Sequence, residues 1–233
     1  MQDSSVQRVD ATGPASKLGD MVRFIPNILT LGRLALSVVF LLMVLYSPSV
    51  PGRALFLDMA FVVFVVAGLS DIVDGMIARR FAVTSKFGRI VDPLADKILV
   101  CGAFVCFAVI GEPRLFDVPG WFLWIIHWFV VAVLILREAY VTVLRHRAEA
   151  KGINFAATVS GKIKMFLQSF TIGTILIKMA HVPTARWGHW FTLATLLVML
   201  TATIMSGLLA TRRPCLQEMT ESAPLGSTRP KDG

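Results

Sequence analysis

Charge is scarce in this chain: 16% of its residues are Asp, Glu, Lys or Arg, against 55% that are hydrophobic. Soluble domains carry closer to a quarter of charged residues, so this balance, with a mean hydropathy of +0.70, excludes an ordinary water-soluble fold and indicates a bilayer protein. Cysteine is scarcer still. Cys101, Cys106 and Cys215 form no C-x-x-C pair, and two of them stand in apolar sequence, which argues against a disulfide framework or a thiolate metal centre and for packing roles. The first twenty residues, MQDSSVQRVDATGPASKLGD, lack an apolar stretch, so no cleavable signal peptide is expected. Acidic residues are outnumbered by basic ones, 15 to 23, for a net charge of +8. On a membrane chain that excess marks cytoplasmic loops and contacts with anionic lipid headgroups, and no nucleic-acid partner is expected.

What the chain does have is long apolar runs, near 28–46, 54–77, 90–110, 119–143, 165–181 and 187–210. Crossing hydrocarbon as a helix takes about 20 residues, and only helices or closed barrels satisfy the backbone there. The expected fold is therefore all-α, a polytopic membrane protein of six transmembrane helices. Gly68 and Gly102 fall inside these runs, where small residues let helices approach closely. Arg79, Arg80, Lys86 and Arg89 lie between runs two and three, and Arg145, Arg147, Lys151, Lys162 and Lys164 between runs four and five. These connections are predicted to face the cytoplasm, which puts both termini there too. Residues 1–20 and 213–233 are short polar tails flanking a single membrane domain over 21–212. The stretch 17–25 is either a short interfacial helix or a plain linker.

The informative segment is SDIVDGMIARRFAVTSKFGRIVDPLADK, residues 70–97, which sets four aspartates at the cytoplasmic ends of two successive apolar helices. Carboxylates so close to hydrocarbon must be paired, hydrated or metal-bound. Asp71 and Asp74 are three residues apart, Asp92 and Asp96 four, so each pair shares one helix face. Clustered acids repel one another unless cations intervene, and hard oxygen ligands suit Mg²⁺ or Mn²⁺, two of which can flank a phosphate. Gly75 and Ala78 leave room beside the first pair and Gly88 beside the second, while the Arg79 guanidinium matches pyrophosphate oxygens. The plainer alternative is a solvated charge cluster in which these acids only pair with Arg79, Arg80, Lys86, Arg89 and Lys97.

The same residues fit the signature D-x2-D-G-x2-A-R-x8-G-x3-D-x3-D at every fixed position from Asp71 to Asp96, so the chain resembles the CDP-alcohol phosphatidyltransferase family. That resemblance implies an enzyme in which Asp71, Asp74 and Asp92 are metal ligands and Asp96 is the general base and a further ligand. It also implies that Asp71, Gly75, Ala78, Arg79 and Gly88 shape the CDP-lipid site, and that the enzyme is a homodimer. The reaction implied is attack by an alcohol on the lipid-side phosphorus of CDP-diacylglycerol, releasing CMP.

PNILTLGR at 26–33, REAYVTVLRHRAEAKG at 137–152 and SGKIKMFLQ at 160–168 resemble the phosphatidylglycerophosphate synthases of that family, whose acceptor is sn-glycerol 3-phosphate. Met165 departs from the Thr usual after the second Lys of the G-K-x-K segment. A phosphorylated acceptor requires cations beside the metal site; Arg137, Arg145, Lys162 and Lys164 are available, with Arg137 and Lys162 the preferred pair. Each is equally explained as a positive-inside or headgroup residue. Alternatives are cardiolipin synthase, another acceptor alcohol such as inositol phosphate or serine, and, from a different class, a transporter or a lipid-binding membrane protein. A bacterial inner membrane with the active site facing the cytoplasm is the expected location.

Other polar residues are less telling. Arg33 either snorkels to the interface or touches substrate. Asp58, about 20 Å along the helix from Asp71, belongs near the opposite membrane face. His127 is expected to be a packed or hydrogen-bonded helix residue rather than a ligand, and Glu138 to orient a basic neighbour.

Overall fold

In the computed structural model six helices follow one another: α1 Pro14–Tyr46, α2 Arg53–Phe81, α3 Lys86–Ile110, α4 Gly120–Ala150, α5 Val159–His181 and α6 Arg186–Glu221, with a short 3-10 turn at Ser47–Ser49. The structure describes the backbone of residues 14–81, 86–116, 118–150 and 159–221, and the side chains of 30–70, 94–116, 118–148, 150 and 161–211. Each apolar run lies within one helix. The helices outrun the apolar sequence because extending a nucleated helix adds a hydrogen bond for each residue fixed. Residues 17–25 are accordingly the early turns of α1 rather than a separate interfacial helix, and α6 continues into the polar sequence beyond 212.

Five helices carry, among the described residues, a segment long and apolar enough to cross a membrane; α3, whose described side chains begin at 94, is not among them. Leu55, Leu136 and Phe166 are more than two-thirds exposed on the outer surface. So broad an apolar exterior fits hydrocarbon rather than water.

The helices close into a ring. α1 packs on α2 and α3, α2 on α5, α5 on α6, α6 on α4 and α4 on α3, while α3 also touches α5 across the middle. Phe40 of α1 meets Phe64 of α2 with ring centroids 5.2 Å apart, and Phe104, Phe107, Leu134, Ile172, Ile175 and Met199 fill the interior. Buried threonines return their hydroxyls to their own helices, Thr171 to the Leu167 carbonyl and Thr203 to that of Met199, and Thr171 also reaches across to the Thr195 carbonyl of α6 at 3.3 Å. The two glycines differ in role. A Cβ on Gly102 would stand 2.7 Å from Leu41 Cδ1, so α3 and α1 do approach closely there, whereas nothing lies within 4 Å of one on Gly68.

Gly111 ends α3. At φ +72° it lets its own N–H reach the Ala108 carbonyl and that of Glu112 reach Phe107, the paired bonds of a Schellman motif. The α1–α2, α3–α4 and α5–α6 connections thus gather at one end of the bundle, and at the other α2 and α4 finish and α3 and α5 begin.

Candidate active site

The end of the bundle where α2 finishes and α3 begins carries a largely enclosed polar layer built from five helices. Positions 71, 74, 75, 78 and 79 belong to α2, and 88 and 92 to α3. The side chains of Asp71, Asp74, Ala78, Arg79 and Asp92, and the surroundings of Gly75 and Gly88, lie outside the described residues. Among the described residues no group of three or more His, Cys, Asp or Glu is placed to hold a metal.

Asp96 is described. One-third exposed, it faces Arg33 of α1, whose Nη1 stands 3.8 Å from Asp96 Oδ1 with the arginine side chain 1% exposed. Arg33 therefore does not snorkel: its guanidinium stays inside the ring, and one turn on Ser37 donates to the Arg33 carbonyl. An arginine is taken out of solvent only when a carboxylate or substrate compensates its desolvation.

A second cluster centres on Glu138 of α4. Arg137 Nη1 donates to Glu138 Oε1 at 2.9 Å, and Lys164 of α5 contacts the same oxygen. Neighbouring helix positions ordinarily diverge, but the long arginine side chain reaches around to its neighbour. Its other terminal nitrogen donates to Ser206 Oγ of α6 at 2.6 Å. Two cations share one acid, so the cluster keeps a net positive charge. Lys97, next to Asp96, donates to Thr142 Oγ1 at 2.6 Å, and Thr142 in turn donates to the Glu138 carbonyl. This ties the aspartate helix to the cationic cluster.

Of the four basic residues singled out by sequence, Arg137 and Lys164 are brought together, while Arg145 and Lys162 remain exposed. Sequence reasoning overlooked Gln168 and Ser206. Gln168 is 2% exposed, one turn beyond Lys164, and its Nε2 has no partner among the described residues. Its signal was the i,i+4 spacing from Lys164, since polar residues within membrane helices mark substrate paths. Gly207 admits the Arg137 stem: a Cβ there would come within 3.3 Å of Arg137 Cγ. His127 is buried with Nε2 3.2 Å from the Pro113 carbonyl, and Asp58 pairs with His181 at 2.8 Å at the far end of the bundle, both as expected.

The sequence model of the CDP-alcohol phosphatidyltransferase family matches residues 23–205. A probable phosphatidylglycerophosphate synthase of Mycobacterium tuberculosis is 34% identical over 154 residues, covering 66% of each chain. An enzyme of Bacillus subtilis named CDP-diacylglycerol--glycerol-3-phosphate 3-phosphatidyltransferase is 32% identical over 180 residues, 71% of this chain and 86% of its own. The Pectobacterium atrosepticum protein of the same name is 32% identical over 154 residues, 65% of this chain and 76% of its own. The matched region thus spans just under two-thirds of the mycobacterial relative.

Proposed function

Because the chain belongs to the CDP-alcohol phosphatidyltransferase family, we propose that it transfers the phosphatidyl group of CDP-diacylglycerol to sn-glycerol 3-phosphate, giving phosphatidylglycerophosphate and CMP. The observation that carries the choice of acceptor is the part-buried meeting of Arg137 and Lys164 on one carboxylate. Its surplus positive charge, with Gln168 Nε2, which has no hydrogen-bond partner among the described residues, one turn away, suits an alcohol that bears its own phosphate and is not needed for a neutral one. The names of the bacillary and enterobacterial relatives favour the same acceptor.

Asp71, Asp74, Asp92 and Asp96 are an all-oxygen donor set at helix-matched spacings, which fits two Mg²⁺ or Mn²⁺ ions and not a soft metal. Such ions, when bound, neutralise the pyrophosphate and stabilise the departing CMP. Asp96 takes the proton from the C1 hydroxyl of glycerol 3-phosphate as that oxygen attacks the lipid-side phosphorus and the bond to CMP breaks. Arg33 holds the Asp96 carboxylate in place from within the ring. Arg79 meets the pyrophosphate, and Gly75, Ala78 and Gly88 leave space for the cytidine end. Arg137 and Lys164 bind the acceptor phosphate, with Arg145 and Lys162 guiding it from the surface.

The membrane domain, 21–212, crosses a bacterial inner membrane six times with both termini and the active site cytoplasmic, in keeping with the Lys and Arg distribution. A homodimer is part of the same reading.

CMP release by purified protein with CDP-diacylglycerol and Mg²⁺ or Mn²⁺ tests the proposal. Glycerol 3-phosphate should support release that Asp92→Asn and Asp96→Asn abolish. Preference for phosphatidylglycerol, inositol phosphate or serine would overturn the acceptor and leave the chemistry standing.

A further inference from the structure

The end of the bundle away from the aspartates has its own polar architecture, which the transfer reaction does not use. The α3–α4 loop is pinned there from several sides. Glu112 accepts from Arg53 at 3.0 Å and from the Arg114 backbone N–H at 3.0 Å. Lys178, buried near the end of α5, donates to the Arg114 carbonyl at 2.6 Å. Phe116 stands at φ +53°, left-handed backbone that a bulky residue adopts only when its surroundings impose it. Those surroundings are His189 and Trp190 of α6, with ring centroids 5.3 Å and 5.0 Å from that of Phe116.

Beside this strained residue opens a pocket of about 550 Å³ whose lining includes Arg114, Arg186, His189, Thr184 and Trp190. Among the described residues it has no lining carboxylate. Arg186 makes no ion pair among them, and Arg114 reaches only to 4.0 Å of Glu112, an acid already bound by Arg53. His189 is 8% exposed and accepts the Phe116 N–H on Nδ1 at 3.3 Å. The neutral imidazole therefore carries its proton on Nε2, a donor with no hydrogen-bond partner among the described residues. Two guanidinium groups, an imidazole N–H and a hydroxyl around one opening form a donor set for a phosphate oxyanion. Trp121, Trp124, Trp187 and Trp190 are all more than half exposed at this end, as tryptophans are at the headgroup level of a bilayer.

We propose that this pocket binds a phosphate-bearing anion, supplied either as the phosphodiester headgroup of an anionic phospholipid or as a soluble phosphate. It is separate from the transfer site and stands whether or not the acceptor assigned above is right.

Trp190 reports on it. In detergent-purified full-length protein, brominated phosphatidylglycerol should quench tryptophan fluorescence at several-fold lower concentration than brominated phosphatidylcholine. Trp190→Phe should remove most of that difference, and R114Q/R186Q should abolish it. Arg186→Gln alone, at an exposed position, should reduce it and serves if the double variant does not elute as a folded species. Inorganic phosphate is the second arm: relief of quenching by millimolar phosphate, or a phosphate-induced change in Trp190 emission without lipid preference, identifies a soluble source. Equal quenching by both lipids with no response to phosphate overturns the proposal, as does unchanged behaviour of folded R114Q/R186Q.

Discussion

Arg33 and Asp96 face each other across the α1–α3 packing surface, 3.8 Å apart, with the arginine fully enclosed. They are sixty-three positions apart in sequence, and the guanidinium is the one described cation that meets an aspartate of the signature. Removing it takes a buried positive charge from beside the carboxylate. Arg33→Met should lower kcat for CMP release by about 10- to 100-fold, the usual effect of losing a group that orients a reacting one. Arg33→Lys should recover part of the loss. Activity equal to that of the parent would remove Arg33 from the site.

Glu138 holds two cations at once, the buried Lys164 and the half-buried Arg137. Glu138→Gln leaves both without a counter-charge among the described residues, which destabilises by about 3 kcal/mol or more. Thermal unfolding in detergent should show a clearly lower midpoint, and Lys164→Met on the Gln background should restore some of it by removing one stranded charge.

Lys164→Met alone should act mainly on the acceptor. With Arg137 still present, KM for glycerol 3-phosphate should rise about tenfold or more, the effect of losing one charged hydrogen bond, while KM for CDP-diacylglycerol changes little. An equal rise in both would place Lys164 outside the acceptor site.

Gly207→Ala tests the same cluster from α6. The added Cβ would lie 3.3 Å from Arg137 Cγ, so the arginine stem must shift by a few tenths of an ångström and its bond to Ser206 must stretch. A rise of a few-fold in acceptor KM is expected, with larger effects for Gly207→Val.

Gly111→Ala serves as the contrast. Its φ of +72° disfavours any Cβ by about 1–2 kcal/mol. The substitution should lower the unfolding midpoint while leaving kcat and both KM values within about twofold, because Gly111 stands at the end of the bundle away from the aspartates.

Several of these relationships were legible before any fold was known. The spacings of Asp71 with Asp74 and of Asp92 with Asp96 are local, and helix geometry alone makes each pair share a face. Asp58 was placed at the far end by the same arithmetic, and His127 was assigned a packing role because no acid or second histidine stood at ligand spacing. Arg33 was ambiguous for a physical reason: near the end of an apolar run an arginine can reach solvent or turn inward, and only the position of α3 decides which. Lys162 and Lys164 looked equivalent in sequence, yet two positions on a helix point about 200° apart, and only Lys164 turns toward Glu138.

Sequence by itself determined that this is a helical membrane protein carrying the aspartate signature of the CDP-alcohol phosphatidyltransferase family, because hydropathy, charge bias and i,i+3 or i,i+4 spacing are properties of single segments. Tertiary structure decided which segments meet: α1 supplying Arg33 to Asp96, α4, α5 and α6 converging on Arg137, and the loop after Gly111 folding onto His189. Those contacts depend on the order of helices around the ring, and no local pattern in an apolar helix specifies its neighbour.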